Sequence, residues 1–213
     1  MDLTKYIDHT LLSATATSKE VIGLCETAVQ YGFQAVCIPD GFLKEGFDTL
    51  QGSSVQLCTV VGFPFGYEST AVKLVQTEYA LKQGATEIDM VINQGWFKAK
   101  EYEKVIDEIA ALKDVVEDRI LKVIIETAHL DEQQIRLAAR CVSQGHADYV
   151  KTSTGYAASG ANVSDVAILQ DEVGGHLGIK ASGGIKTHKQ AIDLIKAGAT
   201  RIGTSNGVAL LSD

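Results

Sequence analysis

Two lysines end short apolar runs in the second half of the chain. Lys151 is the last residue of Asp148–Lys151, and Lys180 is the last residue of Leu177–Lys180. Neighbouring parallel strands lie about 5 Å apart, so ammonium groups at equivalent strand ends would face each other over the mouth of a barrel. Mutual repulsion and partial burial both lower a lysine pKa, and a partly neutral lysine attacks carbonyl carbons. The pair predicts Schiff-base chemistry with Lys151 as the amine, against the alternative of two surface lysines.

An acidic residue interrupts another apolar run. Asp89 stands within Glu87–Ile92, where strand propensity disfavours aspartate and an unpaired buried charge is unfavourable. It could accept protons beside the two lysines, but a structural ion pair is an equal explanation. Lys122, in Leu121–Ile125, shares a strand face with Glu126. We expect Lys122 to pair with Asp89 or Glu126 rather than to react.

Glycine-bearing turns follow the last three apolar runs. Backbone N–H groups in such turns bind phosphate, and the phosphate site of a barrel lies after its seventh and eighth strands. We expect helices to begin after the last two turns, near Thr187 and Ser205. Lys186 could add charge, although an exposed lysine at a helix start is an equal explanation. The predicted phosphate-binding residues are Gly155, Gly183, Gly184, Gly203, Ser205 and Lys186.

Composition argues against several other functions. The 213 residues carry a net charge of −8, which disfavours a nucleic-acid groove. There is no Walker A pattern, and the four cysteines and five histidines lack zinc-ligand spacing, so we expect neither a metal nor a cofactor. The chain has no signal-peptide-like start and no apolar run of membrane-spanning length, which favours a reducing cytoplasm.

The order of apolar runs predicts the fold. Eight runs alternate with segments of helical period, which predicts an α/β protein, a single (β/α)8 TIM barrel over residues 1–213. A doubly wound open sheet is the rival, but no G-x-G-x-x-G follows the first run. The predicted strands are Tyr6–Thr10, Phe33–Ile38, Val55–Val61, Glu87–Ile92, Leu121–Ile125, Asp148–Lys151, Leu177–Lys180 and Thr200–Gly203.

Helix boundaries also have local signals. Thr17 with Glu20, and Thr187 with Gln190, have the spacing of capping boxes. Four glycines stand three or four residues before a predicted strand, where a left-handed residue would end a helix. These are Gly32, Gly84, Gly145 and Gly198.

Seven segments, in order along the chain, carry the pattern of a known family. They are Tyr6–Leu12, Val61–Pro64, Glu87–Asn93, Leu121–Thr127, Val150–Gly155, Ile179–Gly184 and Arg201–Ser205. Together they resemble deoxyribose-phosphate aldolase of the short bacterial type. The resemblance implies a class I aldolase on a (β/α)8 barrel, a possible homodimer, that reversibly cleaves 2-deoxy-D-ribose 5-phosphate to D-glyceraldehyde 3-phosphate and acetaldehyde.

The same resemblance assigns roles to particular residues. It implies that Lys151 is the Schiff-base amine, Lys180 the second lysine and Asp89 the proton-relay carboxylate. Cys37 alone would be taken for a small buried hydrophobe. The residues that the resemblance brings close to the substrate are Asp8, Thr10 and Cys37.

Three positions depart from the family pattern. Pro39–Asp40 replaces the more usual Asn-Pro pair, and Lys186 replaces an arginine, so any phosphate there meets a point charge rather than a bidentate fork. The sequence ends at Asp213 without the tyrosine-ended tail of some relatives, so we expect Asp89, Lys180 and water to transfer protons.

Two other functions remain alternatives. A sugar-phosphate isomerase on the same barrel would use Asp89 as a base without a covalent step. A phosphate-binding barrel without activity would require a broken catalytic group, whereas Asp89, Lys151 and Lys180 are all present.

Overall fold

The computed structural model, which describes residues 1–212, is a closed barrel of eight parallel strands. This confirms the predicted (β/α)8 fold; the last residue of the predicted domain, Asp213, lies outside the described residues. Each strand pairs with the next one along the chain, and the last pairs with the first. The strands are β1 Ile7–Thr10, β2 Ala35–Ile38, β3 Gln56–Val61, β4 Glu87–Val91, β5 Ile120–Ile124, β6 Tyr149–Lys151, β7 Gly178–Ser182 and β8 Arg201–Thr204.

Helices surround the barrel, and β4 is followed by two of them. After β8, only a 3-10 helix at Val208–Leu211 follows within residues 1–212, so the expected helix near Ser205 is wrong for this part of the chain. The α-helices are α1 Ser18–Tyr31, α2 Leu43–Leu50, α3 Thr70–Lys82, α4 Gln94–Lys98, α5 Tyr102–Val116, α6 Glu132–Gln144, α7 Val163–Val173 and α8 His188–Lys196.

Most of the helix-boundary predictions hold. Both capping boxes form, at the starts of α1 and α8. Gly32, Gly84 and Gly198 have positive φ, as expected. Gly145 does not; its φ is −78°, and His146 after it takes the left-handed conformation with a φ of 60°. A Cβ on Gly145 would lie 2.5 Å from Ile109, so close packing against α5 requires glycine there.

The apolar core lies between the strands and the helices, not inside the barrel. Side chains of a strand alternate between its two faces. Ile88 and Met90 of β4 belong to the apolar core, whereas Glu87 and Asp89 lie on the inner face and take part in ion pairs there. The barrel interior therefore holds charged groups where apolar layers are usual. Among the described residues, no helix is both long and apolar enough to cross a membrane.

Candidate active site

The strand register brings the two lysines and the aspartate together inside the barrel. Lys151 of β6 is aligned with Lys180 of β7. Both side chains reach across to β4, where Asp89 Oδ2 accepts a hydrogen bond of 2.7 Å from each Nζ. One carboxylate oxygen thus accepts a hydrogen bond from each lysine. This connection allows a proton to pass between the two lysines.

Four more ionisable side chains complete a charge cluster in the barrel. Lys122 lies 2.8 Å from Asp89 Oδ1 and 2.5 Å from Glu87 Oε2, so its expected pairing with Asp89 is observed. Asp8 lies 2.5 Å from Lys180 Nζ and also pairs with Arg201, which in turn contacts Glu87 at 2.6 Å. We call this group the charge cluster; its members are Asp8, Glu87, Asp89, Lys122, Lys151, Lys180 and Arg201.

The cluster corrects the expectation for Lys180. Burial alone would lower its pKa, but contact with Asp8 and Asp89 raises the pKa of Lys180 above the usual lysine value. Lys180 is also fully enclosed rather than placed at the barrel mouth. The sequence pattern places Lys151 beside Lys180, but it does not show that Asp8 of β1 lies there too. Lys180 is therefore an ammonium in the resting enzyme.

Two of the carboxylates of the cluster, Asp89 and Asp8, are held ionised. Burial opposes the charge of Asp89, but Lys122, Lys151 and Lys180 together hold the pKa of this carboxyl well below its usual range. In the same way, burial opposes ionisation of Asp8, yet the surrounding cations lower its pKa to about 2. With every member ionised, four cations face three carboxylates, so loss of one lysine proton makes the cluster neutral.

Lys151 is the cation of this cluster that meets the open space above it. A cavity of about 250 Å³ lies at the carboxyl ends of the strands, and of the four cations in the described charge cluster Lys151 is the one that lines it. Thr10 lines the same cavity, whereas Cys37 and Asp8 are buried below it. Every predicted phosphate-binding residue lies along its wall, namely Gly155, Gly183, Gly184, Lys186, Gly203 and Ser205.

The glycines after β7 and β8 allow close approach. Gly183 and Gly184 have φ values of 88° and 75°, which L side chains rarely adopt. A Cβ on Gly203 would lie 2.9 Å from Ser182 Cβ and 3.2 Å from Lys180 Cε, so a larger residue would press on the second lysine. These turns therefore bring backbone rather than side chains to this part of the cavity wall.

Several side chains that border the site were not predicted from the sequence. Arg201 and Glu87 are ionisable groups within predicted strands, so the criterion that selected Asp89 could have selected them too. Tyr156 follows Gly155; its hydroxyl donates a 2.7 Å hydrogen bond to Leu12 O, and its ring meets Phe63 edge to face at 5.6 Å. No local pattern marks Tyr156, because its partners come from the loops after β1 and β3.

The structure also shows the contacts of Glu126 and the conformation of the loop at Pro39–Asp40. Glu126 does not pair with Lys122; it accepts hydrogen bonds from the backbone N and hydroxyl of Thr154, and so braces the loop after β6. Pro39–Asp40 leads into a 3-10 turn at Asp40–Phe42 that continues as α2.

Comparison with known proteins agrees with this geometry. Residues 3–213 match the model of the DeoC/LacD family of aldolases. A deoxyribose-phosphate aldolase of Deinococcus radiodurans is 46% identical over 212 residues, which cover 100% of this chain to the nearest per cent and 96% of that protein. One from Histophilus somni strain 2336 is 43% identical over 211 residues, 99% of this chain and 94% of that protein.

Solved structures show the same likeness. The tetrameric deoxyribose phosphate aldolase of Aeropyrum pernix superposes with a TM-score of 0.92 at 33% identity, covering 98% of this chain and 89% of that one. An aldolase called QR15 superposes with a TM-score of 0.95 at 35% identity, covering 99% and 94%.

Proposed function

The chain belongs to the DeoC/LacD family of aldolases, and we propose that it reversibly cleaves 2-deoxy-D-ribose 5-phosphate to D-glyceraldehyde 3-phosphate and acetaldehyde through a Schiff base on Lys151. The observation that carries the proposal is the position of Lys151. Its Nζ shares Asp89 Oδ2 with a second, enclosed lysine, and it lines a cavity bordered by glycine turns.

Imine formation starts from the neutral amine of Lys151. Lys151 has a single carboxylate contact, whereas Lys122 and Lys180 each have more than one. The amine attacks C1 of the open-chain sugar phosphate, and the carbinolamine loses water to give a protonated imine. Lys180 and Asp89 deliver and accept the protons that these two steps require.

The protonated imine then acts as the electron sink for cleavage. Loss of the proton from the C3 hydroxyl breaks the C2–C3 bond, and D-glyceraldehyde 3-phosphate leaves as an aldehyde. The remaining enamine takes a proton on C2, and water releases acetaldehyde from Lys151. A water between the substrate and the Lys180–Asp89 pair relays these protons.

The cavity wall would hold the phosphate through backbone N–H groups. A protein of net charge −8 benefits from such a site, since the dipoles attract an anion without requiring several basic side chains. Lys186 adds one point charge at the rim. Binding of the phosphate, far from the reacting carbons, positions C1 of the substrate next to Lys151.

The direct test is the reaction itself. We expect the purified protein to release acetaldehyde from 2-deoxy-D-ribose 5-phosphate, detected by a coupled reduction, and to run the reaction in reverse from the two aldehydes. A product isomeric with the substrate, formed without acetaldehyde, would instead indicate the isomerase alternative.

The phosphate site can be tested by Gly183→Ala. Alanine at a φ of 88° is strained, and its Cβ would lie 3.1 Å from Gly160 Cα, so the turn must move. We expect KM for the sugar phosphate to rise by about 10-fold, equivalent to about 1.4 kcal/mol of binding, while borohydride still traps acetaldehyde on the enzyme. Steady-state kinetics with 2-deoxy-D-ribose 5-phosphate measure the change in KM, and borohydride trapping measures the reaction with acetaldehyde.

Gly175→Ala provides the matched control. Gly175 has a φ of 87°, but a Cβ added there would meet no atom within 4 Å, and the residue is absent from the cavity wall. The variant should show similar backbone strain without a change in KM. Equal KM values in the two variants would place the phosphate elsewhere.

We also propose that two copies of the chain associate through α3. Val72, Val75 and Tyr79 form an exposed apolar stripe on that helix, and the nearby Phe65 and Tyr67 rings stack on each other while largely exposed. Light scattering should give the mass of a dimer, and Val75→Asp should shift it to that of a monomer. A monomeric wild type would contradict the proposal.

A further inference from the structure

Two cysteines face each other beneath the proposed reactive lysine, and the aldolase steps use neither of them. Cys37 of β2 is aligned with Cys58 of β3, and both are fully buried with free thiols. Aligned residues of neighbouring parallel strands have Cα atoms about 5 Å apart, within the range that a disulfide spans.

The sulfurs are held close to each other by the charge cluster. Their Sγ atoms, and a carboxylate oxygen of Asp89, all lie within 4.8 Å of one another. Cys58 donates a hydrogen bond of 3.2 Å to Asp89 Oδ1, and Lys122 Nζ approaches Cys58 Sγ at 3.4 Å. Cys58 is thus fixed in orientation, facing the thiol of Cys37.

The two thiols differ in acidity. Contact with the Cys58 sulfur lowers the pKa of Cys37, and the charges of Lys180 and Lys151 act in the same direction, whereas burial and the charge of Asp89 oppose them. Burial, the contact with Cys37 and the charge of Asp89 raise the pKa of Cys58. A more acidic thiol beside a less acidic one is the arrangement of an attacking and a resolving cysteine.

The cavity provides a route for a small reagent. Cys37 is aligned with Thr10 of β1, and Thr10 lines the cavity above Lys151. A path that brings an aldehyde to Lys151 also admits a smaller molecule such as hydrogen peroxide to the cavity wall at Thr10, the strand neighbour of Cys37.

Local charge favours oxidation of this pair over metal binding. Two cysteines and an aspartate could bind a soft cation, but both oxygens of Asp89 already contact lysines. A divalent ion would have to displace ammonium groups in a cluster that already has excess positive charge. Disulfide formation adds no charge.

We propose that Cys37 and Cys58 form a modification site at which a peroxide produces a reversible disulfide. The Cys37 thiolate attacks a peroxide oxygen, the O–O bond breaks, and the departing hydroxide takes the thiol proton and leaves as water. The Cys58 thiol then attacks the resulting sulfenic acid, the S–O bond breaks, and a second water leaves as the S–S bond forms. Two thiols are oxidised by two electrons, and one peroxide is reduced to two waters.

The cross-link should be readily reduced and should inhibit the enzyme. Cβ atoms of aligned parallel strands must move closer to accept a disulfide, and strained disulfides are more easily reduced. The cross-link also removes the S–H group that Cys58 donates to Asp89, the carboxylate shared by both lysines. This inhibition rests on the proposed function, whereas the cross-link does not.

The experiment treats the folded protein with hydrogen peroxide and maps its thiols. We expect free thiols to fall from four to two, with a peptide linking Cys37 to Cys58 and full recovery with dithiothreitol. Cys25 and Cys141, whose pKa values burial raises to about 11, serve as internal controls and should stay reduced. Aldolase activity should fall and recover together with the cross-link.

The variant Cys58→Ala separates the two chemical steps. Without the resolving thiol, Cys37 should stop as a sulfenic acid that dimedone labels. The proposal is overturned if the wild type accumulates dimedone adducts without a cross-link, or if Cys25 and Cys141 oxidise at the same rate. Because thiol mapping needs no turnover, a cross-link in an inactive protein would count only against the proposed function.

Discussion

Lys151→Ala should lower kcat/KM by at least about 10⁴-fold, the scale seen when an enzyme loses its covalent nucleophile. The other lysines of the barrel cannot substitute for it, because Lys122 and Lys180 are enclosed and fully paired with carboxylates. The same residue should carry the covalent intermediate. Borohydride added with acetaldehyde should leave an ethyl group on Lys151, located by peptide mass spectrometry.

Lys186→Ala is the control for this experiment. Lys186 lines the same cavity but belongs to the rim, so the variant should still trap acetaldehyde on Lys151. An adduct on Lys180, no adduct in the wild type, or substantial turnover by Lys151→Ala would each refute the Schiff-base assignment.

The second large effect should come from Lys180→Met, which keeps much of the side-chain volume and removes the charge. Asp89 would then share Oδ2 with Lys151 alone, and the cluster would have three cations for three carboxylates. Removal of one cation leaves more negative charge around Lys151, so the pH–rate profile should shift to the alkaline side. We also expect kcat to fall by about 10²- to 10⁴-fold through loss of the proton donor.

Lys73→Met is the matched control. Lys73 is another fully buried lysine, paired with Glu108 at 2.8 Å on the helix side of the barrel, outside the charge cluster. Its replacement should lower the melting temperature without moving the pH–rate profile. An identical pH–rate profile for Lys180→Met and the wild type would show that Lys180 does not control the charge of Lys151.

Much of the architecture could be predicted because its signals are local. The eight apolar runs, the two capping boxes and three of the four helix-ending glycines depend on neighbouring residues, and the structure confirms them. The exception at Gly145 arises from packing against Ile109 of α5, a contact that no local pattern contains.

The site residues could be predicted from the sequence for a different reason. A charged residue inside a strand-like run is unfavourable without partners, so Asp89, Lys151 and Lys180 are conspicuous in the sequence alone. Arg201 and Glu87 meet the same criterion. Their place in the site could not be predicted, because a single apolar run does not show which strands face each other across a barrel.

The amino-acid order by itself determined which lysines could be reactive, since it places Lys151 and Lys180 at equivalent points on neighbouring strands. Only the tertiary structure decided the charge of Lys180. Mutual repulsion predicted a lowered pKa for Lys180, but closure of the barrel brings Asp8 from β1 to 2.5 Å from its Nζ and raises that pKa. The pKa of a buried group depends on every charge within a few ångströms, and those charges come from strands far apart in sequence.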